Sequence, residues 1–420
     1  MKIIPALALV ALISTTAACG GSDPAGSAGT TAVAAPQATP SGQTGPTPTP
    51  TPSETPTPAP TATPTPEATP TPAPPAASST PVSAAEWTAL LKAAKPGSTI
   101  DLGTRRVTFA RFGGLSNVTI KGGVFGFIIL DNWTNVTFDG TRFEAAPEDR
   151  VMSGNIPPYV DAYSPVGLTV RNATFVGYTD SAGNLAPGSL RTRGGNNVVI
   201  TRSSFHDLNN SLALVRTTNA QLTDNSFAYI REGVQVVGAS NVVIARNTFG
   251  PFRPAPGDHP DGIQFFTTGL TNADDHGVRN ALFEDNLFDP GEGYRAQGVF
   301  MGDELNLAAQ GRGHSDITIR NNVMVGTGWH GITAGTAIPN LLIENNKLLI
   351  RLGADGVTDN WILVKNGSGI VRNNYAGSIT LGPDVTASGN TSVKRAATAS
   401  EITNAMTVLA QWVQAALAAM

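Results

Sequence analysis

The sequence predicts an all-β solenoid, a single stack of coils of roughly 22 residues, and three observations predict it. A nine-residue motif recurs from Asn117 onward, apolar residues alternate within each copy, and one aromatic and one amide column keep fixed places. The copies read "NVTIKGGVF" (117), "NVTFDGTRF" (135), "GLTVRNATF" (167), "NVVITRSSF" (197), "NAQLTDNSF" (219), "NVVIARNTF" (241), "NALFEDNLF" (280), "DITIRNNVM" (316) and "NLLIENNKL" (340). Those at 197, 219 and 241 are spaced by 22 residues, a period that means stacked coils and not a series of independent domains. Phe125, Phe143, Phe175, Phe205, Phe227, Phe249 and Phe288 all take the ninth place, and Asn225, Asn247, Asn286, Asn322 and Asn346 the seventh. Stacked at the ~4.8 Å strand spacing, these columns become an internal Phe stack and an Asn ladder, so both are structural.

The chain before the solenoid reads differently. "MKIIPALALVALISTTAACGG" has one Lys, an apolar run and small residues ending in Cys19, the order of an export signal (1–19), and the run is too short for a spanning helix. Cys19 is the only cysteine, so no disulfide forms within the chain. "TAAC" resembles a lipobox, with Thr16 where that family more often has Leu. The resemblance implies lipidation of Cys19, and Gly20 after it implies an outer-membrane lipoprotein facing the periplasm or the cell surface. Residues 20–82 are rich in Pro, Thr and Ala ("TPTPTPSETPTPAP"), a composition that buries no core. They read as a disordered tether with a reach of up to ~190 Å at ~3.1 Å per residue. A net charge of −4 and the lack of any Lys/Arg cluster exclude a strongly basic nucleic-acid binder.

The pattern over roughly 83–393 resembles the right-handed parallel β-helix of the pectate-lyase-like superfamily. "EWTALLKAAKPGSTIDLG" resembles its usual opening, an amphipathic helix, a Pro-Gly turn and the first strand. At the other end Ile402, Met406, Leu409, Val413 and Leu417 fall at helical spacing, predicting an amphipathic helix within 396–420 that covers an open end of the stack. The solenoid domain is assigned to 83–395, and the chain is expected to act as a monomer.

A further strand per coil carries the chemistry. Aligning the inward apolar residues Leu190, Leu212, Val234, Ile263, Val299, Ile332 and Ile362 makes the outward columns readable. Two places earlier stand Gly188, Asn210, Glu232, Asp261, Gln297, His330 and Asn360. One place later stand Arg191, Ala213, Gln235, Gln264, Phe300, Thr333 and Leu363. Glu232, Asp261, Gln297 and His330 should form a row on a groove floor, with Gln235 and Gln264 beside it and Phe300 as a platform for a sugar ring. Arg193, Arg216, Arg231, His259, Arg295, Asp303, Glu304 and Lys365 rim it. Glu232 and Asp261 on adjacent coils would repel unless a proton, cation or ligand relieved them. Asp258, Asp261 and Glu232 are therefore also the metal candidates, for Ca²⁺. The longer segment 251–280 is expected to wall the site.

The superfamily resemblance implies an acidic polysaccharide as partner. The leading expectation is a lyase acting by β-elimination, with Arg193, Arg216, Arg231, Arg295 or Lys365 neutralising the uronate, His259 or His330 as base, and Tyr294 or the other histidine as acid. The alternative is a polygalacturonase-like hydrolase using Glu232, Asp261 and Asp303. "HPDGIQ" is similar to that family's strand only at Asp-Gly, and "GWHGITAG" resembles its Gly-His-Gly with Trp329 inserted. A uronan C5-epimerase is a third reading, since Asp258-His259-Pro260-Asp261 resembles Asp-Pro-His-Asp with the middle pair exchanged. A non-catalytic glycan-binding surface protein is the fourth.

Overall fold

In the computed structural model the described residues are 81–150, 156–179, 183–255, 257–291, 296–326, 328, 330–351 and 360–418. The signal, Cys19 and nearly all of the tether lie outside them, as do Tyr294, Arg295 and Trp329. Within the described residues, 31 strands join in one continuous ladder, and all its pairings are parallel. The one antiparallel pair, Tyr178–Thr179 with Leu185–Ala186, lies outside that ladder. Each strand pairs with its counterpart one coil on, as Asn196–Thr201, Thr218–Thr223 and Ser240–Ala245 do. The fold is a parallel β-helix.

The recurring Asn at the start of each motif has a backbone reason. Asn117, Asn135, Asn197, Asn219, Asn241, Asn280 and Asn340 all sit at φ between 50° and 56°, the left-handed region that Asn tolerates better than other non-glycine residues. Their side chains also link rung to rung, Asn241 donating to Asn219 and Asn280 to Asn241, each over 2.8 Å.

Inside the stack the Phe column forms from Phe143 onward, whereas Phe125, expected to open it, is tilted 32° to Phe143 at 5.8 Å. From Phe143 through Phe175, Phe205, Phe227 and Phe249 to Phe288, successive ring centroids lie 4.4–4.8 Å apart and within 12° of parallel. Each buried ring contributes on the order of 1.5–3 kcal/mol through area alone. The amide ladder runs further than its sequence signal. Asn225, Asn247, Asn286, Asn322 and Asn346 continue through Asn374 to Asn390, each Oδ1 accepting both the backbone and the side-chain N–H of the preceding rung.

Helix α1 (Ala84–Ala93) starts at the Ser83 cap and lays Trp87 edge-on against Phe125. Val82, placed at the end of the tether by sequence, is buried and donates its N–H to Arg106 O. Helix α2 (Ala399–Ala418) buries Ala405 and Leu409 against Val323, Val325 and Leu349. These flank Met324 and Leu348, members of the internal core, so they point outward. The C-terminal capping helix is present as expected, and it packs on this outward apolar strip. No helix among the described residues is long and apolar enough to cross a membrane.

Candidate functional site

The strands Leu190–Arg193, Asn210–Val215, Glu232–Val237, Asp261–Phe265, Gln297–Met301, His330–Ala334 and Trp361–Val364 stack as consecutive rungs of one sheet. The ladder aligns Arg191, Ala213, Gln235, Gln264, Phe300, Thr333 and Leu363 in one column. In the column before the inward residues, Asn210 pairs with Glu232 and Asp261 with Gln297. At the last rung the register slips, and His330 pairs with Trp361. Asn360, expected to follow His330 in this row, turns inward, is fully buried and donates to Met324 O and Leu349 O. Glycine follows Glu232, Asp261, Gln297 and His330 because the rungs approach closely there: a Cβ on Gly233 would collide with the Gly262 carbonyl, and one on Gly262 with the Phe288 ring.

The row divides into a sealed half and an open half. Glu232 and Asp261, expected to face outward, are only 8% and 4% exposed. Glu232 Oε2 accepts the Asp261 backbone N–H over 3.0 Å, while Asp261 Oδ1 is buried with no hydrogen-bond partner. Arg231 closes its fork on Asp258, Nε to Oδ2 at 2.5 Å and Nη2 to Oδ1 at 2.8 Å, and lies 3.6 Å from Glu232 Oε1. Burial pushes the Glu232 carboxyl up to about 7, although the Asp261 N–H and Arg231 pull it back. Burial, then the charges of Glu232 and Asp258, push Asp261 well above the usual carboxylate range. Asp261 is the proton's seat, because Glu232 has an N–H and a guanidinium to stabilise its charge and Asp261 has neither.

In the open half, Gln297, His330, Gln235, Gln264 and Phe300 are half-buried. Trp361 Nε1 lies 3.0 Å from His330 Nδ1, and Thr333 Oγ1 lies 2.7 Å from the same atom. An indole N–H only donates, so Nδ1 is the acceptor and the ring proton is on Nε2. Burial, then the charges of Lys365 and His259, lower His330 to about 4. It is neutral at pH 7. Phe300 and Trp361 meet its ring edge-on, with centroids 5.9 and 5.1 Å away. His259 and Lys365 are exposed. Trp361 and Thr333 were absent from the expected site, and the only signal for Trp361 was an indole at a strand start.

The rim residues have other partners. Arg216, expected to meet substrate, clamps Asp275 at 2.6 and 2.7 Å and Gly269 O at 3.0 Å, tying down the long loop. That loop does wall the sheet: Leu270 and Leu307 bury Val237 and pack on Val215 and Phe266. Asp303 accepts from Thr267 Oγ1 and from the backbone N–H groups of Leu307 and Ala308, capping a turn. Glu304 accepts from Thr267 N. Arg193 shares Asp161 with Arg191. His314, fully buried, staples Val278 N to Gly302 O. Among the described residues, no group of three or more His, Cys, Asp or Glu is placed to hold a metal ion, and Asp258, Asp261 and Glu232 make up no such group. A cavity of about 550 Å³ lies on another flank between α2 and the turns bearing Arg202, Asp224, Arg246 and Asp285.

No protein-family model matches the sequence, and no curated protein matches it. Solved structures similar to this chain include a surface adhesin of Streptococcus pneumoniae, PfbA (14% identity, 70% of this chain and 87% of that one, TM-score 0.44). DFA-IIIase from Arthrobacter chlorophenolicus A6 in complex with GF2 matches at 11% identity over 73% of this chain and 87% of that one, TM-score 0.46. A PL6 alginate lyase complex with trisaccharide matches at 12% identity over 76% and 85%, TM-score 0.42. At these values the likenesses carry no argument about activity, and the parallel ladder itself establishes the fold.

Proposed function

We propose that the protein is a lyase that binds an acidic, uronate-containing polysaccharide along this sheet and cleaves it by β-elimination. The observation that supports it best is the state of the ionisable groups: the two carboxyls are sealed and held above the usual carboxylate range by burial, while the accessible groups are His259, neutral His330 and Lys365. Elimination beside a carboxylate needs a base for the C5 proton, positive or donor groups at the uronate, and a proton for the leaving oxygen. His259 takes the C5 proton. Lys365 and the Nε2–H of His330 stabilise the carboxylate as the C5–H bond breaks. The C4–O4 bond then breaks, the C4–C5 double bond forms, and the imidazolium of His259 returns the proton to O4. Gln235 and Gln264 hold hydroxyls, and Phe300 supports a sugar ring.

A retaining hydrolase fits less well. It needs one ionised carboxylate open to the sugar, whereas Glu232 and Asp261 are buried and both oxygens of Asp303 already accept hydrogen bonds. We read the chain as exported, with Cys19 as lipid acceptor for an outer-membrane anchor. Metabolic palmitate labelling that persists in Cys19→Ala would overturn that.

Product analysis tests the chemistry. Incubation with a panel of acidic polysaccharides should give the ultraviolet absorbance of an unsaturated uronate. Reducing ends without unsaturation would mean a hydrolase, and C5 hydrogen exchange without cleavage an epimerase. Binding alone would mean a glycan-binding module.

A further inference from the structure

The sheet continues past the site toward the N-terminus, and three or four rungs before Asp261 it carries a second constellation. Strand Val160–Tyr163 pairs with Leu190–Arg193, aligning Asp161 with Arg191 and Tyr163 with Arg193. Asp161 thus stands in the column that contains Gln235, Gln264 and Phe300, one rung after Ile129. Arg191 grips Asp161 bidentately at 3.0 and 2.7 Å, and Arg193 adds a bond at 3.1 Å. Burial raises the Asp161 carboxyl, but the two guanidiniums hold it below the usual range, so it stays ionised. On the preceding rung Asp131, aligned with Tyr163, is paired with Arg111 at 2.8 Å. Three arginines against two aspartates leave one positive charge at the surface.

Tyr163 gives that charge a platform. Its ring is 39% exposed, one of few large side chains left so. The Arg193 guanidinium lies over the ring at 5.3 Å, and its hydroxyl meets Asp161 Oδ2 at 3.2 Å. A rigid, amphipathic ring beside two part-exposed guanidiniums is the chemistry that receives a sugar face and its carboxylate together. Between this constellation and Gln264 stand Ala213 and Gln235, one per rung, and the small Ala213 side chain leaves the floor open. The separation from Arg191 to Gln264 is three ladder steps, about 14 Å.

We infer that Tyr163, Arg191 and Arg193 form a distal subsite that takes an anionic sugar unit of the same polymer whose cleavage is proposed above. It sets a minimum length for tight binding. The inference rests on the acidic-polysaccharide reading, and it would make oligomers that reach both ends bind better than oligomers that reach one.

The test uses isothermal calorimetry on the full chain with trimers and octamers of galacturonate and of mannuronate. The variants are Tyr163→Ala and Arg193→Gln, both of which leave the Arg191–Asp161 pair intact, with melting curves recorded for each. Wild type should bind an octamer more tightly than the trimer, and each variant should weaken octamer binding by about tenfold. A methyl-esterified octamer should be indifferent to Arg193→Gln. Unchanged octamer affinity in both folded variants, alongside unsaturated products, would overturn the subsite and leave the lyase reading standing. Octamer binding that depends on Tyr163 and Arg193, without unsaturated products, would overturn the lyase reading and leave the subsite.

Discussion

Glu232 and Asp261 occupy adjacent rungs, and Glu232 Oε2 accepts the backbone N–H of Asp261, whose own carboxyl is held well above the usual carboxylate range by burial and then by the charges of Glu232 and Asp258. Two acids on neighbouring coils are tolerated because burial holds both above that range, with Arg231 3.6 Å from Glu232.

This pair should make stability depend on pH in an unusual direction. The folded Glu232 titrates at about 7 against an ordinary 4.5, so between those values the folded state holds a proton that the unfolded state has lost. Stability must then fall as pH rises through that window and level off above it, by up to ~3 kcal/mol for Glu232. Glu232→Gln should remove that part of the slope. Melting curves across pH 4 to 8 should find the variant more stable than wild type at the top of the range, and converging with it at the bottom.

His259→Ala should abolish turnover while the domain stays folded, because removing a general base costs on the order of 10²–10⁴ in rate. Asp261→Asn, which keeps the shape of the buried protonated acid, should leave turnover largely intact. Wild-type activity in His259→Ala, measured by release of unsaturated product, would sink the site assignment.

Trp361→Phe tests how His330 is held. Losing the indole donor frees Nδ1 to take a proton, so His330 should rise from about 4 by roughly one unit, burial still holding it below its ordinary value. Histidine NMR titration reads the shift directly. The acid limb of the activity profile should move to higher pH with it.

Asn286→Ala breaks the amide ladder at a fully buried rung. The backbone and side-chain N–H groups of Asn247 lose their acceptor and Asn322 Oδ1 loses its side-chain donor while keeping the backbone one, a loss of about 1–3 kcal/mol per unsatisfied group. Denaturant unfolding should show it, while Asn280→Gly on the exposed outer column, which keeps the left-handed backbone unstrained, should cost under ~1 kcal/mol.

The repeat made most of this fold readable. Counting outward from Leu190, Leu212, Val234, Ile263, Val299, Ile332 and Ile362 gives the register that the ladder adopts, because a strand period of two leaves no freedom once one face is apolar. The chemistry was less legible wherever a partner lies far along the chain. Arg216 meets Asp275 across 59 positions, and Leu270 and Leu307 cover Val237 from loops whose path no periodicity describes. The slip that sets Trp361 beside His330 depends on a local bulge that column counting cannot register. Burial of Glu232 and Asp261 was legible in the alternation itself, since each stands two places before an inward residue, Val234 or Ile263, and so shares its face.

The column from Asp161 to Leu363 advances by one fixed step per coil. Such a surface works as a graduated scale. Inserting or deleting one whole coil between Leu190–Arg193 and Asp261–Phe265 would move the two ends apart or together by a single graduation without disturbing either. The length of polymer gripped would then change in whole units, and a lineage could tune it by coil number alone.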